Sequence, residues 1–73
     1  MGTNQHVVPF MGKWAIKAEG HDVVTSTYRL QSEAIMEARK IAKDEKSELF
    51  IHGRDGKIRA RDSYGNDPRS SKG

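Results

Sequence analysis

Apolar residues recur along this chain with two different periods, and the change of period marks the change of element. Up to Tyr28 the period is two. His6 to Phe10 (HVVPF) is short and β-branched, and Pro9, which has no N–H to give a ladder, predicts an edge strand or a bulge there. Met11-Gly12 supplies a turn. Lys13 to Ala18 (KWAIKA) sets Trp14, Ile16 and Ala18 on one side and Lys13, Ala15 and Lys17 on the other, the alternation of a half-buried strand. After the turn cluster Glu19 to Asp22, Val23 to Tyr28 (VVTSTY) has the β propensity of a third strand. From Ser32 to Lys46 the spacing becomes helical, with Ala34, Ile35, Ala38, Ile41 and Ala42 on one face. The helix starts at Gln31 or Ser32. Ser32 is the better cap, because its hydroxyl can accept from a free N–H of the first turn.

Glu48 to Gly65 (ELFIHGRDGKIRARDSYG) returns to period two and reads as a hairpin about Asp55-Gly56. A two-residue turn there needs positive φ at both positions, which Asp-Gly tolerates. Pairing outward from it sorts the residues by face. Leu49, Ile51, Ile58 and Ala60, with Gly53 among them, form a core face. Phe50, His52, Arg54, Lys57, Arg59 and Arg61 form a basic outer face. The order β-β-β-α-β-β predicts a two-layer α+β domain, an antiparallel sheet with one helix on one face. Its core combines the hairpin's apolar face and the helix stripe with Trp14, Ile16, Val24 and Tyr28. Residues 1–65 make one small domain. The polar tail NDPRSSKG, residues 66–73, has the composition of a disordered segment.

A run from the Trp14 strand through Ser32-Glu33-Ala34-Ile35 to LFIHGRDGKIRARDSYGNDP resembles the small bacterial family catalogued as domain of unknown function 2188. The resemblance covers His6 to Gly73. It is most specific at His52-Gly53-Arg54-Asp55-Gly56-Lys57-Ile58 and at Asp62-Ser63-Tyr64-Gly65-Asn66-Asp67-Pro68. Gln31 departs from the pattern, since members often carry a Thr or Ser cap there. The resemblance implies a compact α+β fold and a bacterial or phage origin, and it brings no catalytic residues.

Composition narrows the function classes. With 73 residues and no cysteine, the chain has neither disulfides nor Cys-based zinc to support a small core, which fits a cytoplasmic location. No apolar run approaches the length of a membrane helix, and the start MGTNQHVV lacks the plan of a signal peptide. No nucleophile elbow or phosphate loop is present, so no enzyme and no cofactor are expected. His6, His21 and His52 show no metal-ligand spacing.

The net charge is +3. On the hairpin, pairing about Asp55-Gly56 sets Arg54 against Lys57 and His52 against Arg59, like charges that repel. An acidic partner would relieve that repulsion. Phosphates release counterions when Arg and Lys bind them, and Phe50 and His52 could stack on bases. The same face also serves simply as the solvated side of a one-layer sheet, its Arg stems covering Phe50. The leading expectation is thus a non-enzymatic module for nucleic acid or an acidic protein surface. The alternative is a protein–protein interaction or homodimer domain acting through an open sheet edge.

Overall fold

The computed structural model describes residues 2–65, so the expected tail, residues 66–73, lies outside the described residues. The elements are β1 (Gln5–Phe10), β2 (Lys13–Ala18), β3 (Ser26–Tyr28), α1 (Gln31–Glu45), β4 (Glu48–His52) and β5 (Ile58–Ser63). They form a five-stranded sheet in the order β3-β2-β1-β4-β5, with the helix on one face. This is the expected α+β architecture, and three of its four strand pairs are antiparallel.

The fourth pair corrects the all-antiparallel expectation. β1 and β4 run parallel, pairing Gln5 with Leu49, His6 with Phe50 and Val7 with Ile51. The helix is the reason: a crossover through a helix returns the chain in the direction it left, the usual route to parallel strands. It carries the chain from β3, past β2 and β1, to a free edge beside β1. A strand expected at the edge is therefore central. Pro9 is tolerated because the ladder to β4 stops at Val7, so its missing N–H falls past the end of that ladder. β3 is also shorter than expected: Val23 is 73% exposed and precedes the paired segment.

The inner face of the sheet carries Val7, Trp14, Ile16, Leu49 and Ile51. The helix meets it with Ala34, Ala38 and Ala42, all completely buried. Three alanines, one per turn, let the helix backbone sit close to the sheet. Ile35, Ile41, Tyr28 and Tyr64 close the sides.

The helix begins one residue before Ser32, with Leu30 in the cap position and no side-chain cap. Gln31 is occupied elsewhere: its Nε2 donates to the carbonyl of His52 at 3.0 Å, tying the helix start to the end of β4. At the other end Lys46 turns left-handed (φ 52°), its N–H donating to the Lys43 carbonyl and that of Ser47 to Ala42. This is a Schellman closure with lysine where glycine is the usual residue. The β1–β2 turn has the same peculiarity. Met11 (φ 48°) and Gly12 (φ 79°) both have positive φ, the geometry of a type I′ hairpin. Left-handed backbone costs a side chain with a Cβ about 1 kcal/mol. Lys46→Gly and Met11→Asn are therefore each expected to stabilise the domain, by up to about 1 kcal/mol. Urea denaturation checks this: a lower midpoint in either variant would contradict it.

Candidate functional site

The hairpin that carries the candidate residues is closed differently from expectation. Asp55 does not have positive φ, so a type I′ turn at Asp55-Gly56 is excluded. Instead Gly56 N–H donates to the Gly53 carbonyl and Gly53 N–H to Lys57, with Gly56 left-handed at φ 84°. The loop is thus one residue longer, and Gly53 faces Lys57. A bulge at Arg59 then takes up the extra residue, because His52 pairs with Ile58 while Ile51 pairs with Ala60. The two irregularities cancel. From Ile51 outward the register is the expected one, with Phe50 opposite Arg61 and Leu49 opposite Asp62.

Two expectations are corrected as a result. Ile58 leaves the core face, shares the outer face with His52 and is 54% exposed; Ala60 is on the inner side but exposed, on an edge strand. The opposed like charges also disappear. Arg54 lies in the turn, and His52 faces Ile58 rather than Arg59. Arg59 instead reaches Asp55 (Nη2 to Oδ2, 3.2 Å), and Arg61 lies 3.9 Å from Glu48. Exposed pairs of this kind are worth little. They show only that neighbouring acids, not an absent partner, answer these two arginines. Lys57 is exposed beside the turn, and its backbone N–H donates to Asp55 Oδ1.

The parallel β1–β4 pair gives the outer face residues that hairpin reasoning could not supply. His6 pairs with Lys17 on one side and Phe50 on the other, and Phe50 pairs with Arg61. Lys17, His6, Phe50 and Arg61 thus form one row across four strands, two rings flanked by two cations. Further along β1, Val8 faces Ala15 and Phe10 faces Lys13. A cleft of about 230 Å³ beside that end is lined by Phe10, Lys13, Trp14 and Arg54, among others. His6, Val8, Phe10, Phe50 and His52 are all half-buried. Among the described residues no element packs over them, because the helix occupies the opposite face. The missing signal was present in the sequence, in the alternation of His6, Val8 and Phe10 and of Lys13, Ala15 and Lys17. It needed β1 beside β4 to become part of the same surface.

Two histidines that looked unrelated in sequence meet here. The His6 ring stacks on Phe50, with centroids 4.8 Å apart and planes 20° from parallel. His6 Nδ1 lies 2.9 Å from His52 Nε2, His6 Nε2 lies 3.0 Å from Glu19 Oε1, and His52 Nδ1 lies 2.8 Å from the Gly56 carbonyl oxygen. The hydrogen bond from His6 holds the Glu19 carboxyl below the usual glutamate range; burial opposes this, and a contact from Asn4 lowers it further. A carboxyl with a lowered pKa stabilises the fold above its unfolded pKa, and that contribution is lost as pH falls through the lowered value. Glu19→Gln is accordingly expected to flatten this part of the acid-unfolding curve. An unchanged acid limb would show that the contact does not bear on stability. His21 is exposed. Among the described residues no group of three or more His, Cys, Asp or Glu side chains is arranged to hold a metal ion, and no helix is long and apolar enough to cross a membrane.

Comparison with known proteins places this surface in a family. Residues 5–64 match the model of an uncharacterised protein family conserved in bacteria, DUF2188. The chain belongs to DUF2188. The matched span includes every strand and the helix, so the outer face lies inside the family's unit. The chain is also similar to the uncharacterised protein YdaT of Bacillus subtilis (strain 168), with 34% identity over 58 residues. That alignment covers 80% of this chain and 39% of YdaT, so the chain spans about two fifths of the relative's length. No solved structure matches.

Proposed function

We propose that this DUF2188 chain is a non-enzymatic module that binds single-stranded nucleic acid across its outer sheet face. The observation that carries the reading is the Lys17–His6–Phe50–Arg61 row on an open face, continued by Phe10 and Lys13. Lysine and arginine draw phosphates, while aromatic rings offer π-surfaces that accept any base. An acidic protein segment would use the same cations but has no need of rings set between them, which favours nucleic acid. Glu19, Glu48 and Asp55 moderate the positive charge, so the expected binding is modest and strongly dependent on salt.

The test is fluorescence anisotropy of a short labelled oligothymidylate at increasing salt. The reading expects binding at low salt that weakens steeply and linearly in log–log form. Absence of binding at low salt would end it. Pairing through an open sheet edge is the competing use of the fold, and it should respond to protein concentration. Two features count against it: β3 has only three residues, and β5 is bulged at Arg59 and rich in charge, both devices that blunt an edge.

A further inference from the structure

We propose that His6 and His52 share a single proton at neutral pH, and that a second proton opens the pair and strengthens the platform's hold on a polyanion. The second half rests on the nucleic-acid reading above; the first half does not.

The proton count follows from the contacts. The nitrogens of the two rings lie in a chain that runs from Glu19 through His6 and His52 to the Gly56 carbonyl. A carbonyl oxygen only accepts, so His52 Nδ1 carries a hydrogen. Glu19, held in its ionised form, also only accepts, so His6 Nε2 carries one too. That leaves His6 Nδ1 and His52 Nε2 facing each other at 2.9 Å. With no proton between them, two lone pairs would abut. With one on each, two N–H groups would collide. One proton between them makes all three hydrogen bonds. The two rings then carry three hydrogens and one positive charge, which Glu19 balances.

The same geometry argues against a chelated metal. The ring centroids are 5.1 Å apart, and subtracting the nitrogen separation leaves just two ring radii. Both nitrogens therefore lie near the line joining the centroids, with their lone pairs aimed at one another rather than converging on a third point.

The charged surroundings set what a second proton would do. Glu19 is the carboxylate in contact with the rings. Lys17 lies opposite His6 on β2. On the β4–β5 side, Arg61 is answered by Glu48 and Arg59 by Asp55, with Lys57 next to Gly56. The helix lies on the other face and reaches His52 only through uncharged Gln31. A second proton would place two N–H groups against each other and drive the rings apart. The platform would gain one positive charge. By linkage, a bound polyanion and the second proton favour each other.

Two measurements on the full chain decide this. The first is nitrogen NMR of 15N-histidine protein without nucleic acid at neutral pH. The expected result is N–H at His6 Nε2 and His52 Nδ1, with the two facing nitrogens sharing one proton. An ordinary neutral pattern on both rings, or two full imidazolium rings, overturns the proposal whatever the protein binds. The second is oligothymidylate affinity between about pH 8 and about pH 5.5, where imidazoles take up protons and phosphodiesters do not. Wild-type affinity is expected to rise severalfold on acidification. His52→Gln should flatten that rise, and His21→Gln should retain it. A shared proton with flat wild-type affinity overturns the switch and leaves the binding reading standing. No binding at either pH removes the binding reading and the switch together, while the shared proton stands or falls by NMR alone.

Discussion

Leu49→Ala is expected to cost about 3–4 kcal/mol and to leave the domain largely unfolded at room temperature. Leu49 has no exposed surface and sits on the inner face of β4, in the cluster with Val7, Ile16 and the helix alanines. The alanines on the helix side are too short to reach into the space left behind, so the cavity is refilled only in part. A core in a chain this small supplies only about 3–5 kcal/mol of net stability, so the loss is of the same size as the whole. Ile58→Ala is the matched comparison. An isoleucine that is 54% exposed on the outer face should cost less than about 1 kcal/mol. Urea denaturation of both variants tests the hairpin's register as well as its core. Equal losses would mean that Ile58 faces inward and the bulge at Arg59 is not there.

The second large effect concerns binding. Lys13→Glu/Lys17→Glu/Arg61→Glu reverses three cations on one face and should lower oligothymidylate affinity by at least about 100-fold at low salt. The salt slope should fall by about two to three at the same time, close to one per lost phosphate contact. The side chains are at least partly exposed and lie off the core, so thermal unfolding should change little. Lys40→Glu, on the helix and paired only with Glu37 at 4.0 Å among the described residues, changes charge on the opposite layer. It should leave affinity nearly as it was. If Lys40→Glu weakens binding as much as Lys17→Glu does, net charge rather than the outer face is responsible.

Much of the fold was legible because its signals are local. The period-two runs at Lys13–Ala18 and Glu48–His52 and the helical stripe put Trp14, Ile16, Leu49, Ile51, Ala34, Ala38 and Ala42 inward, and these are buried; Ala18 is only half-buried, and Ala15, expected on the outer side, is completely buried as well. Direction and neighbourhood are not local. Pro9 suggests an edge when read alone, and only the helical crossover, which delivers β4 beside β1, makes that strand central. The hairpin failed at one step for a similar reason. Asp55-Gly56 fits a two-residue turn and also the longer loop in which Gly56 alone is left-handed. The choice between them moved His52 and Ile58 but not Phe50 and Arg61, because the bulge restored the register.

The candidate site was legible only in half. Phe50, His52 and Arg61 share the outer face as the hairpin pattern required. Arg54 went to the turn and Arg59 to the bulge, each beyond what alternation can describe. His6, Lys17, Phe10 and Lys13 belong to the same surface because of a pairing 40 and more residues apart in sequence, which no local period encodes. The contact between His6 and His52 depends on that pairing too, and no ligand spacing announced it.

Backbone amide shifts, followed while a short oligothymidylate is added at low salt, show directly whether the outer face is where nucleic acid binds. The largest changes are expected at His6, Phe10, Lys13, Lys17, Phe50 and Arg61, with the helix from Gln31 to Glu45 nearly silent. Changes confined to the helix or to the β3 and β5 edges, or none at saturating oligonucleotide, would contradict it.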